Sequence, residues 1–154
     1  MATLYSTQKT KWSQNVPSEK IKPNETGGRM RIAFADVTLA SAAIADVVQM
    51  VNLPNGARLI DGYLTNAALG ASTTLSVGYA AYKNAAGTVV ALSAAAYLAA
   101  TSTSSAARTD ILATIALGAG SVVDADQDGL PITITVGGGT ATGVVQVAIR
   151  YVVD

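Results

Sequence analysis

Hydrophobic and polar positions alternate most clearly over residues 47–82, where the pattern predicts three extended strands and two turns. Pro54-Asn55-Gly56 marks the first turn, because proline presets φ while asparagine and glycine tolerate positive φ. The small residues Leu69-Gly70-Ala71-Ser72 mark the second turn. We therefore predict hairpin corners between three strands: Val47–Leu53, Arg58–Asn66 and Thr73–Tyr79.

The same alternation recurs on both sides of this stretch. Met30–Leu39 predicts a first strand with Ile32 and Phe34 on one face, and the pattern shifts near Asp36 as it does at a β-bulge. Seven or so strands separated by Gly-, Asn- and Ser-rich turns predict an all-β fold, an antiparallel β-sandwich or jelly roll. The remaining predicted strands are Ile111–Leu117, Leu130–Val136 and Val144–Val153.

One segment departs from the alternation. Val89, Leu92, Ala96 and Ala99 recur at helical spacing after Thr88, a residue type that caps helices. We predict either one short helix or an ordered long loop here, packed on the sheet through its alanines. The small residues 40–45 predict a loop or a single helical turn.

Residues 1–29 lack any sustained period and predict an extended N-terminal arm, followed by a β-sandwich domain over residues 30–154. A disordered tail is one interpretation. Tyr5, Trp12 and Ile21 favour the other, because a purely solvated tail has no need of spaced apolar side chains. We therefore expect a strap that becomes ordered on a partner.

The charge of the chain is divided between these two parts. The net charge is zero overall, but residues 1–31 carry +4 and the remainder carries −4. Such a division predicts that the basic arm meets an acidic surface, either on another protein or on another copy of the chain.

Composition removes most familiar kinds of active site. The chain has no cysteine and no histidine, which excludes thiolate chemistry and the commonest general base and metal ligand. We expect neither an enzyme nor a cofactor. The most apolar window, 85–100, is shorter than the ~20 residues that span a bilayer, so no membrane partner is expected.

Asp124, Asp126 and Asp128 followed by Gly129 match the opening of a calcium loop. The match then fails, because the twelfth position is Thr135 rather than a bidentate glutamate and Pro131 interrupts the loop. A solvated turn is the favoured interpretation. The glycines at 137–139 lack the lysine of a phosphate-binding loop and predict a flexible hairpin tip.

Nucleic acid is a further candidate partner that the charge pattern disfavours. Lysines interleaved with Tyr5 and Trp12 are able to contact phosphates and stack on bases. The arm is only weakly basic, however, and the body is acidic. We therefore expect no nucleic-acid partner.

Two stretches resemble the small virion structural proteins of tailed bacteriophages. One reads aliphatic residues, then Leu53-Pro54-Asn55-Gly56-Ala57-Arg58, then Leu69-Gly70-Ala71-Ser72-Thr73-Thr74-Leu75-Ser76-Val77-Gly78. The other is the closing strand 146–154. The resemblance covers roughly residues 30–82 and 108–154, and it involves strand and turn patterns rather than catalytic motifs.

The resemblance implies a capsid decoration, or cement, protein: a jelly roll on the outer surface of the virion head that binds the major capsid protein. It also implies a homotrimer, because such proteins often occupy threefold positions. The protein is expected to be made in the host cytoplasm. A tail, neck or fibre-base component and a carbohydrate-binding β-sandwich are the alternatives. The arm residues predicted to contact the capsid or a neighbouring subunit are Tyr5, Lys9, Lys11, Trp12, Lys20, Ile21 and Lys22.

Overall fold

The computed structural model describes residues 4–13, 20–23 and 25–153. Within these residues the chain forms one short α-helix, ten β-strands and a 3-10 turn. The helix and strands are α1 (Thr7–Ser13), β1 (Met30–Ala42), β2 (Val47–Leu53), β3 (Arg58–Asn66), β4 (Thr74–Tyr79), β5 (Tyr82–Lys83), β6 (Val89–Val90), β7 (Ser93–Ser102), β8 (Ala107–Ile111), β9 (Leu130–Gly137) and β10 (Ala141–Val152).

Eight of the strands form two four-stranded antiparallel sheets. The first sheet has the order β1-β10-β3-β8 and the second has the order β2-β9-β4-β7, while β5 and β6 form a small separate ribbon. With the ribbon set aside, this strand order is that of a jelly roll. The predicted fold class, an all-β antiparallel sandwich, is confirmed.

The core lies between the two sheets and is built mainly on their central strands. Val147 and Ile149 of β10 face Ile132 and Ile134 of β9, and all four are fully buried. Their burial follows from the two-residue period of a strand, which sends alternate side chains to the same face. The alternation in these two segments therefore gave both the strands and their inward faces.

The turns that follow Leu53, Asn66 and Gly137 do not form hairpins. Each connects a strand of one sheet to a strand of the other, because β2, β4 and β9 belong to the second sheet while β3 and β10 belong to the first. Gly56 has the positive φ of 78° that its turn predicted. The prediction of turns was right, but the prediction of hairpin corners, including the glycine-rich tip at 137–139, was wrong.

The prediction for the segment after Thr88, one short helix or an ordered long loop, is also wrong. This segment forms β6 and the long edge strand β7, which pairs with β4. Gly78 of β4 permits this pairing, because a side chain there would collide with the backbone of Ser93 and Ala94. Helix propensity is a weak preference even for alanine-rich segments, and sheet pairing overrides it here.

Two local predictions in the first sheet need correction. The strand predicted over 111–117 lies earlier, at Ala107–Ile111, because Leu112 adopts a φ of 58° and Thr114 caps a 3-10 turn at Ile115–Leu117. The bulge expected near Asp36 lies between Leu39 and Ala42, where pairing with β10 shifts register. β1 consequently extends through Ala42, so that only residues 43–45 of the loop or helical turn predicted over 40–45 lie outside a strand. None of the helices in the described ranges is long and apolar enough to cross a membrane.

Candidate interaction surface

The arm contains a helix that buries none of its own side chains. In α1 the Ser6 side chain caps the first turn, since its Oγ accepts a hydrogen bond from the Lys9 backbone N–H at 3.1 Å. A helix of seven residues is shorter than the ~12–15 residues at which isolated helices become even marginally stable in water. Contacts outside the helix must therefore support it.

Glu25 provides the contact between α1 and the body. The Lys11 ammonium lies 2.9 and 3.2 Å from its two carboxylate oxygens, and the Lys22 backbone N–H donates to one of them at 3.2 Å. The Arg58 guanidinium at the start of β3 lies 3.9 Å away. The Lys11 hydrogen bond and the Lys22 N–H hold the pKa of Glu25 below its usual value. One carboxylate thus joins the helix, the arm and the first sheet.

The predicted arm residues divide into two groups around this junction. Lys11 and Lys22 are brought together on Glu25, whereas Tyr5, Lys9 and Trp12 project into solvent. Trp12 is 70% exposed and Tyr5 is 65% exposed. Lys20 is also exposed, and Ile21 is half-buried. The two aromatic side chains are therefore free to contact another surface.

A second apolar surface lies on β1, and we call Met30, Ile32 and Phe34 the β1 stripe. Each of these side chains is more than half exposed, because they point to the outer face of the first sheet. Ala33 on the opposite face packs against the core instead. Large apolar side chains grouped at the surface are typical of protein interfaces. The sequence predicted that Ile32 and Phe34 share a face, but not that the face points outwards.

The rest of that outer face carries paired charges. Arg150 of β10 forms a bidentate ion pair with Asp61 of β3, and this pair raises the pKa of the Arg150 guanidinium. The Arg108 guanidinium lies 3.8 Å from the centre of the Tyr63 ring. Arg150, Asp61, Arg108 and Tyr63 therefore already have partners within the sheet. The side chains of the β1 stripe are exposed instead.

The acidic loop does not gather its carboxylates around a common point. Asp124 accepts a hydrogen bond from the Ala85 N–H at 3.1 Å, and Asp126 accepts one from the Asp128 N–H at 2.9 Å. No group of three metal-ligating side chains occurs within the described ranges. Asp126 and Asp128 instead line one side of an open groove of about 460 Å³, together with Gln49, Asn52, Tyr82, Lys83, Val89 and Pro131.

The jelly roll is similar to solved structures of phage capsids. It aligns with a chain in the capsid of Ralstonia phage GP4 at TM-score 0.61 and 20% identity, covering 82% of this chain and 86% of that one. A chain in the capsid asymmetric unit of cyanophage Pam1 aligns at TM-score 0.57 and 22% identity, with the same two coverages. A third, from the capsid of Helicobacter pylori bacteriophage KHP30, aligns at TM-score 0.50 and 18% identity, covering 80% and 87%.

Sequence comparison adds nothing to this likeness, since no family model and no curated protein matches the chain. At these identities the likeness concerns the fold. It agrees with the virion resemblance read from the strand and turn patterns.

Proposed function

We propose that this chain is a non-enzymatic structural protein of a bacteriophage virion that binds the outside of the head shell and stabilises it. The observation that carries the proposal is the fold likeness to chains of phage capsids over about four fifths of the sequence. The exposed apolar groups on α1 and β1 support a place in a larger assembly, because apolar side chains grouped at the surface are typical of contacts with other subunits.

The proposed mechanism is the bridging of neighbouring capsid subunits by many weak contacts. An interface of standard size buries ~1,600 Å², and its repetition over a shell adds up to strong retention. The arm residues Tyr5, Lys9, Lys11, Trp12, Lys20, Ile21 and Lys22 would contact the major capsid protein or a neighbouring copy. We further propose a homotrimer. The number three rests on the resemblance to decoration proteins, which often occupy threefold positions, and three linked bodies would hold the shell at three points.

The abundance of the chain in purified virions tests this function. A decoration protein is expected in a near-stoichiometric ratio to the shell protein, with density on the outer surface in electron microscopy. Absence of the chain from virions would refute the proposal. A few copies per particle by quantitative mass spectrometry would instead indicate a tail, neck or fibre-base component.

The groove beside the acidic loop favours carbohydrate binding as a second candidate function. Tyr82 offers an aromatic face, while Asp126, Asp128 and the amide of Gln49 offer polar groups to sugar hydroxyls. A glycan array without hits would eliminate this candidate.

Nucleic acid is not expected to bind. Filter binding at low salt, where contacts to phosphates are strongest, should show no retention of nucleic acid.

A further inference from the structure

We propose that α1 of one copy docks on the outer face of β1 in a second copy, with Trp12 on Ile32 and Phe34 and with Lys9 on Asp36. This inference rests on the proposed homotrimer and names the surface that receives the arm. The occupant of the β1 stripe is thereby a second copy of the chain rather than a shell protein.

On its own, α1 lacks the apolar packing that stabilises a helix. Its seven residues have a serine cap and the Lys11 to Glu25 contact, but none of its side chains is buried. The serine cap satisfies one backbone N–H of the helix, and the ion pair with Glu25 fixes one lysine side chain. Neither supplies the apolar packing from which most helices in proteins draw their stability. Trp12 is the largest side chain able to supply it.

The outer face of β1 is also left uncovered. The β1 stripe presents its three large apolar side chains to solvent, and β1 is the edge strand of its sheet. Large apolar side chains grouped at the surface in this way are typical of a site that another protein covers. The same chain's α1 does not cover it, since Trp12 remains 70% exposed and Phe34 54% exposed.

The charge and the spacing of side chains on α1 match those on the outer face of β1. Lys9 and Trp12 are three residues apart on α1, so their side chains are neighbours ~5–6 Å apart. Phe34 and Asp36 are two residues apart on β1, so they share a face at ~7 Å. Lys9 and Asp36 are both exposed, and neither has an ionic partner within the described part of the chain. Seating Trp12 on Phe34 therefore brings opposite charges together.

This contact joins two different surfaces, which makes it heterologous. Each copy donates its helix to one neighbour and receives a helix from the other. Such contacts generate a ring when the rotation closes. A trimer held in this way has no free stripe and no free Trp12.

Disulfide trapping between two chains tests the proposal, and the absence of native cysteine makes the readout clean. A tagged Lys9→Cys chain is mixed with an untagged Asp36→Cys chain, so that Trp12, Ile32 and Phe34 stay intact. We expect a crosslink between chains on a non-reducing gel. The matched control is Asp110→Cys, which replaces an exposed aspartate on β8, the opposite edge strand of the same sheet.

Several results would overturn the proposal. One is a crosslink that is no stronger with Asp36→Cys than with Asp110→Cys. Another is a crosslink that forms within one chain when both cysteines are placed in the same chain. A third is a free protein that is monomeric by light scattering. Co-sedimentation of the same protein with purified capsids separates the docking of α1 on β1 from the decoration function. Capsid binding without the crosslink refutes the docking and leaves the decoration function standing.

A second measurement uses the single tryptophan of the chain. Docking is expected to shift Trp12 emission to the blue on assembly. Ile32→Ala should weaken assembly roughly tenfold or more, as truncation of an anchor contact does. Ile115→Ala removes the same atoms from a side chain that is 89% exposed outside the stripe, and it should leave assembly unchanged. Equal effects of the two substitutions would contradict the proposal.

Discussion

Glu25 is the residue on which the attachment of the arm depends, and its titration gives a prediction about pH. Its pKa is lowered because the Lys11 ammonium and the Lys22 N–H both bind the charged carboxylate. A lowered pKa means that the contact is fully present above the ordinary glutamate pKa and is lost as pH falls through the lowered value. At a protein concentration low enough for the chain to be monomeric, we expect the fluorescence anisotropy of Trp12 to fall as the pH is lowered below the ordinary glutamate pKa.

The matched control for this titration is Glu25→Gln. The amide keeps the shape of the side chain but carries no charge for Lys11 and Arg58 to pair with. Trp12 anisotropy in this variant should be low and independent of pH over the same interval. A wild-type curve that coincides with the Glu25→Gln curve would show that the arm is held by other contacts.

Core and surface isoleucines provide the next prediction. Ile149 is fully buried between the sheets, whereas Ile115 is 89% exposed. Ile149→Ala should lower the free energy of unfolding by about 2–5 kcal/mol, because it loses apolar burial and leaves a cavity. Ile115→Ala should change it by no more than about 0.5 kcal/mol. Urea unfolding measures both, and a similar loss in the two variants would contradict the assignment of the core.

At the residue scale, sequence reasoning was reliable where only one face of a strand is apolar. Val147 and Ile149 alternate with small or polar residues, and they proved to point inwards. β1 lacks this contrast, because its outer face carries Ile32 and Phe34 while its inner face carries alanines. The hydrophobic pattern therefore located the strand but gave no means of choosing its buried face.

The alanine-rich segment shows why an element can be mispredicted. Its apolar positions fit a helical period, and alanine is the best helix former. The segment nevertheless forms β7, whose pairing with β4 shifts register twice. The signal lay in a different element: Gly78 leaves the space into which the β7 backbone fits. Pairing information of this kind is long-range and is not contained in the segment itself.

This close approach predicts the effect of adding a side chain at Gly78. Gly78→Ala should lower the free energy of unfolding by about 1–3 kcal/mol, because the new methyl group pushes against the Ser93 and Ala94 backbone. Gly78→Val should cost more. Hydrogen exchange should accelerate in β7 amides and remain slow in β10. Wild-type stability in Gly78→Ala would show that β7 yields without cost.

At the scale of the whole molecule, the sandwich class could be predicted, and seven of the ten described strands, one of them displaced, were located from the sequence. The strands β5, β6 and β7 and the assignment of strands to sheets could not be predicted. Turn residues such as Pro54 and Gly56 report local backbone geometry. They do not report whether the next strand returns to the same sheet or crosses to the other. The jelly-roll order depends on partners far apart in sequence, such as Met30 and Val152 at the ends of β1 and β10.

We predict that the arm and the body make separable contributions, and deletion of residues 2–29 tests this. The described arm residues bury no side chain in the core, which is built from residues of β1 onwards. The truncated body should therefore keep its cooperative unfolding, with a loss in free energy no larger than the ~1 kcal/mol expected of surface contacts. It should lose trimer assembly, which is proposed to depend on Trp12 more than on the lysines because aromatic anchors outweigh rim charges. Capsid binding should weaken with it, because a single body holds the shell at one point rather than three. Light scattering measures trimer assembly, and co-sedimentation with capsids measures capsid binding. In the full chain, Trp12→Ala should reproduce most of the loss of assembly and binding, while Lys9→Ala should reproduce little of it. A truncated body that binds capsids with unchanged affinity would make the arm an ordinary tail.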